Sequence, residues 1–174
     1  MDNPVYMSIE GSTQGKITEG ATTPESVGNV YQNGHEDEAI VKAFTHNINI
    51  PRNTTTGQPT GQRTHNPLIV TKLIDKSSPL LYNALCNGET LKKVELKWYR
   101  TSYAGKPEHY YSMILEDAVI TNMDASMESQ ENTSAGQVMP LETVSFSYRK
   151  VSWRHETAST SGEDDWRVGV GAKI

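Results

Sequence analysis

Cysteine is nearly absent: among 174 residues there is one, Cys86. That count excludes an intramolecular disulfide framework and any multi-cysteine zinc site. Phenylalanine is almost as scarce, with two, and tyrosine supplies most of the aromatics, with eight. No apolar run reaches the length of about 18 residues that a spanning helix needs. The first thirty residues hold a single Lys and no apolar block, so no secretory signal peptide is expected. Positive charge is also in deficit, 16 Lys and Arg against 21 Asp and Glu, for a net charge of −5. Such a field repels phosphate backbones and argues against a nucleic-acid partner.

Catalytic signatures are missing as well. The chain has no GxSxG elbow, no phosphate loop, no GxGxxG after a strand and no HExxH. Its five histidines, His35, His46, His65, His109 and His155, show no pair at i, i+2 or i, i+4. A metal site drawn across strands from His46, His109 and His155 is conceivable, but ordinary hydrogen-bonding histidines are the simpler reading. The pairs Glu116-Asp117 and Asp164-Asp165 invite a two-carboxylate hydrolase reading. Neighbours on a strand point to opposite faces, so neither pair converges on one bond. The sequons at Asn53 and Asn132 read as coincidence without a secretory signal. The expectation is therefore no catalytic residues, no metal and no cofactor.

What the sequence does contain is period-two alternation. In Lys92 to Arg100, Val94, Leu96 and Trp98 share one face, and Lys93, Glu95 and Lys97 the other. A turn at Ala104 to Pro107 leads into a second long strand, Glu108 to Thr121, giving a hairpin. Leu141 to Trp153 alternates through Val144, Phe146 and Tyr148, then changes phase to Val151 and Trp153. A phase change within a strand predicts a bulge or bend of the kind that curls a sheet into a barrel. Ala39 to Ile50 reads as a strand with Ile40, Phe44, Ile48 and Ile50 inward. The nearly continuous Leu68 to Ile74 reads as a strand covered on both faces. Val5 to Ile9 and Val27 to Tyr31 are shorter strands. One helix is predicted, capped at Ser77 or Ser78, with Pro79 in its first turn and Gly88 ending it. Its Leu81, Ala84 and Leu85 form a packing face, and Cys86 reads as a small core or interface residue.

Between two strands lies PRNTTTGQPTGQRTHNP, Pro51 to Pro67, too long and too polar for an ordinary connection. Such a segment is disordered or docked outside its own domain. A second polar stretch runs from Met127 to Met139, and an acidic tail follows Glu156, with Trp166 to Val170 as a last short strand. The whole reads as mainly β, a barrel of two packed antiparallel sheets with one flanking α-helix and a long extended loop. Residues 1–155 form the domain and 156–174 a tail. A barrel with such a loop would most simply grip a second copy of itself.

The run HNINIPRNTTTGQPTGQRTHNPLIVTKLIDKSSPLLYNALCNGETLKKVELKWYR resembles the haemolysin-coregulated protein (Hcp) family of the bacterial type VI secretion system, in its enterobacterial-type subgroup. The resemblance is carried by His46, Pro51, Thr56-Gly57, Thr60-Gly61, Arg63, His65, Pro67, Thr71-Lys72, Ile74-Asp75, Ser77-Ser78-Pro79, Leu81-Tyr82 and Ala84, and continues into VSFSYRKVSWRH. It covers most of residues 4 to 155. It implies a barrel assembled into six-membered rings that stack into a tube within a contractile sheath, tipped by a VgrG-type spike. It also implies small effector proteins held in the lumen, and export by the machine itself rather than by a signal peptide. On this reading Pro51, Arg52, Thr56, Gly57, Thr60, Gly61, Arg63 and His65 lie at a subunit interface. The rival from another class is a monomeric β-sandwich binding carbohydrate or peptide.

Overall fold

A computed structural model describes residues 3–129 and 139–167. The chain begins with β1 (Val5–Gly11) and the short β2 (Gly15–Lys16). A one-turn helix, α1 (Pro24–Val27), and a 3₁₀ turn over Gly28–Val30 follow. The strand expected at Val27 to Tyr31 is thus absent. Pro24 stands at the first helical position, and Gly28 closes the turn at φ +65°, local signals that outweigh the two valines.

The barrel is built from β1 together with β3 (Ala39–Thr45), β6 (Leu68–Leu73), β7 (Leu91–Thr101), β8 (Pro107–Ser126) and β9 (Leu141–Ser147), with the shorter β4 (Ile48–Asn49) and β5 (Thr64–His65) outside it. Every pairing is antiparallel, in the order β8-β7-β1-β3-β6-β9, and β9 returns to pair with β8. Six strands therefore close a ring, with hydrogen bonding continuous around it. Met7, Ile9, Leu68, Val70, Val94, Leu96, Leu115, Val144 and Phe146 fill the interior. Closure removes the open edges that would otherwise invite aggregation.

The predicted phase change marks where β8 trades partners. Residues 119–126 of β8 pair with β9, and residues 111–116 pair with β10 (Lys150–His155). At the exchange Asp117 takes φ +49°, and its carboxylate receives Arg149 Nε at 2.9 Å. β10 then pairs with β11 (Thr160–Asp165), the last strand among the described residues, and Trp166 and Arg167, where a further strand is expected to begin, lie in a turn. Residues from Val168 on, and most of the Met127 to Met139 stretch, lie outside the described residues.

The helix α2 (Ser78–Asn87) has Pro79 in the first turn and Gly88 left-handed at φ +64°, as its sequence signals predict. Ser77 at the N-cap, however, makes no side-chain capping bond: the Ser77 and Ser78 hydroxyls turn to Asp75 and Glu142 instead. Leu81 and Ala84 are buried, Leu85 is partly so, and Cys86 is exposed, not in the core. In β3 the inward residues are Ala39 and Val41, whereas Phe44 is 45% exposed. A bulge between Val41 and Ala43 shifts the register, which an unbroken alternation from Ile40 to Ile50 cannot represent. β6 is not covered on both faces along its length: Leu68, Val70 and Lys72 are buried, whereas on the other face Ile69 is exposed, Thr71 half-buried and only Leu73 buried.

Candidate subunit interface

Residues 47–66 leave the barrel as a hairpin arm rather than as a loop without structure. β4 and β5 pair at its base, Ile48 with His65 and Asn49 with Thr64. Further out Arg52 bridges Pro59, and Thr60 N–H donates to the Pro51 carbonyl at 2.8 Å. The tip turns on Asn53. Its Oδ1 accepts the N–H groups of Thr55 and Thr56 at 2.8 and 3.2 Å, an Asx turn. Gly57, at φ +74°, sends its N–H back to the Asn53 carbonyl at 2.8 Å. The tip is therefore tied by its own hydrogen bonds, and every residue from Asn49 to Gln62 is exposed.

At its base the arm is clamped to the body. Tyr148, 3% exposed, holds its hydroxyl 2.7 Å from His46 Nε2 and 2.7 Å from His65 Nδ1. His65 Nε2 lies 2.6 Å from Asp164 Oδ2, which also accepts from Arg63 Nε at 2.7 Å. Arg63 Nη2 donates to the Asp165 carbonyl at 3.0 Å. Burial, and then the charge of His65, hold the His46 pKa below its ordinary value, and burial pushes the Tyr148 phenol up. The Trp166 indole N–H donates to the Tyr148 carbonyl. The acidic pair divides as the alternation requires: Asp164 meets the arm, and Asp165 accepts from Arg149 Nη1 at 3.2 Å.

The expected interface residues thus fall into two groups. Pro51, Arg52, Thr56, Gly57, Thr60 and Gly61 project on the exposed arm, whereas Arg63 and His65 anchor it. Sequence reasoning missed His46, Tyr148 and Asp164 as the seat of the anchor. Tyr148 reads as one more apolar member of a strand, and nothing local ties position 164 to position 65. Strands leading to the arm leave Phe44, Ile50 and Ile69 37–45% exposed, apolar surface of the kind a partner covers.

His46, His109 and His155 do not converge. His109 Nε2 lies 2.8 Å from Ser112 Oγ, and His155 Nδ1 accepts the Ala158 N–H at 3.1 Å. No metal-ligand cluster occurs among the described residues. A cleft of about 400 Å³ on the outer face of β1 and β7 is lined by Glu10, Glu36, Glu38 and Glu95 with Lys16, Lys93 and Lys97. No described helix is long and apolar enough to cross a membrane.

A "Major exported protein" of Pseudomonas aeruginosa is 53% identical over 170 residues, covering 98% of this chain and 99% of that protein. Among solved structures, a crystal structure of an Hcp protein superposes with a TM-score of 0.88 at 47% identity, covering 94% of this chain and 99% of the other. The secreted protein Hcp3 of P. aeruginosa gives 0.81 at 48% identity, over 96% of this chain and all of that one. The family profile described as "Type VI secretion system effector, Hcp" matches residues 6–155. The match runs through the closed barrel, its flanking helix and the projecting arm alike, and this chain belongs to that family: an Hcp protein of the type VI secretion system.

Proposed function

We propose that the chain is the tube subunit of a type VI secretion system. Six copies close a ring, rings stack inside a contractile sheath behind a VgrG-type spike, and small effectors ride in the lumen. The tube leaves the cell with its cargo; the P. aeruginosa relative is itself named an exported protein. The monomeric carbohydrate- or peptide-binding sandwich has no such support from relatives.

The observation that carries this reading is the arm. A hairpin held by its own hydrogen bonds that yet buries nothing from Asn49 to Gln62 gains no stability for its own barrel from those side chains. Ordering it costs roughly 1–2 kcal/mol per residue, a cost offset when a neighbour covers it. The interface is assigned to Pro51, Arg52, Thr56, Gly57, Thr60 and Gly61, with Arg63 and His65 setting the arm's direction. Deleting Thr56 to Gly61 is expected to leave the thermal unfolding of the barrel within a few degrees of wild type. Ring closure or stacking, read by electron microscopy and sedimentation, is expected to fall at least tenfold. A deletion variant that assembles rings and tubes as wild type does overturns the assignment.

A further inference from the structure

The hydroxyl of Tyr148 stands between two imidazole nitrogens, each 2.7 Å away. A phenol has one proton to give and two lone pairs to receive with. With both histidines neutral, the contacts have one consistent assignment. His46 Nε2–H donates to Tyr148, Tyr148 O–H donates to His65 Nδ1, and His65 Nε2–H donates to Asp164 Oδ2.

A first added proton fits the same geometry. Placed on His65, it makes Nδ1–H the donor to Tyr148; neutral His46 then carries its own proton on Nδ1 instead of Nε2, and the Tyr148 O–H turns to the freed Nε2. Asp164, already facing Arg63, then faces an imidazolium as well. A second proton has no such place. Both histidines would donate into one phenol oxygen, the phenolic O–H would have no acceptor here, and two cations would face each other across it. A buried donor left unmet is costly, and like charges facing each other across one oxygen add to that cost.

We infer that Tyr148, His46, His65 and Asp164 form a latch that positions the arm against the body, accepts one proton intact and opens on the second. The role of this latch in assembly rests on the arm reading above; the latch itself does not. Among the described residues, the other charged groups around it are Arg63, Arg149, Asp165 and Asp117. Arg63 comes from the arm, and Arg149 and Asp165 pair with each other beside β11. Asp117 of β8 engages Arg149 in turn. Trp153 and Trp166 supply uncharged walls, their rings near His46 and His65.

The direction with pH follows. His46 titrates lower in the docked arm than in a released one, because burial and His65 oppose its charge. Docking is therefore at full strength above the ordinary histidine value of about 6.5 and weakens as pH falls below it. Hydrogen exchange of amides in 47–66, corrected for intrinsic rates, reads the latch in the whole chain. Imidazole resonances of His46 and His65 count the protons.

Protection is expected to persist through the first protonation and to fall at least tenfold with the second. His46→Gln keeps a group that can donate or accept but does not titrate, so its acid step is expected to vanish. Tyr148→Phe is expected to lose protection already at pH 7.5 while keeping its barrel amides protected. Three results overturn the latch: protection that survives both protonations, a His46→Gln variant releasing as wild type does, or a Tyr148→Phe arm as protected as the original. Native mass of the same samples separately reports assembly. Rings with no acid step therefore refute the latch alone, and an acid step in a persistent monomer refutes the arm's assembly role alone.

Discussion

Lys72 is the residue that most constrains the barrel interior. Its side chain is wholly buried, and Nζ donates to the Leu73 carbonyl at 3.0 Å, Asp75 Oδ1 at 3.2 Å and Ser78 Oγ at 3.3 Å, besides meeting the Glu142 carboxylate. Asp75 Oδ2 and Glu142 Oε2 are buried with no hydrogen-bond partner, so the ammonium is the main compensation for two carboxylates. Removing one partner of a buried ion pair costs about 3–5 kcal/mol, whereas replacing the group with apolar residues can be neutral. Lys72→Met is accordingly expected to lower stability by about 3–5 kcal/mol, and Lys72→Met with Glu142→Leu to recover part of that loss, both read from denaturant midpoints. A single variant as stable as wild type would show that the cluster is solvated. The signal for Lys72 is present in the sequence, since it shares a strand phase with Leu68 and Val70. Its partner Glu142 lies 70 positions away, and alternation cannot pair distant strands.

Elements with strong local chemistry are legible. The β7–β8 hairpin and α2 stand where alternation, Pro79 and Gly88 place them. Legibility fails where a backbone irregularity resets the pattern: the bulge after Val41 sets Phe44 opposite the buried Val70, with its ring against Trp98 though still 45% exposed, and Gly28 ends a helical turn where a strand is expected. The arm is a third case, because its pairings involve two-residue strands and an Asx turn rather than an apolar pattern. α2 shows what a correct local reading yields in energy. It packs on β8 through few side chains, Leu81 fully buried among them. Leu81→Ala therefore opens a cavity that a single flanking helix fills poorly, and a loss of about 2–5 kcal/mol is expected. Calorimetry or chemical unfolding checks this, and a loss below 1 kcal/mol would mean that α2 is not part of the cooperative unit.

On the scale of the whole molecule, the closed ring of strands explains why the chain can be both stable and sociable. Pairing is complete around the barrel, so the remaining valences are outward: the arm, the apolar side chains at its root and the edge of β11. The latch decides where the arm points, and a directed arm makes the contact between copies geometric rather than merely adhesive. Composition already turns the reading away from nucleic acid, and the run from His46 to Arg100 carries the family resemblance. Which surface meets which neighbour is not legible in one chain, because ring contacts are set by shape across copies and leave no periodic trace in sequence.

Native mass spectrometry of the purified full-length protein, from nanomolar to high micromolar concentration, tests the central claim most directly. The account predicts a discrete species of six copies of the 19.3 kDa chain, growing into longer stacks at high concentration and shrinking when Thr56 to Gly61 are removed. A chain that stays monomeric throughout the range contradicts it.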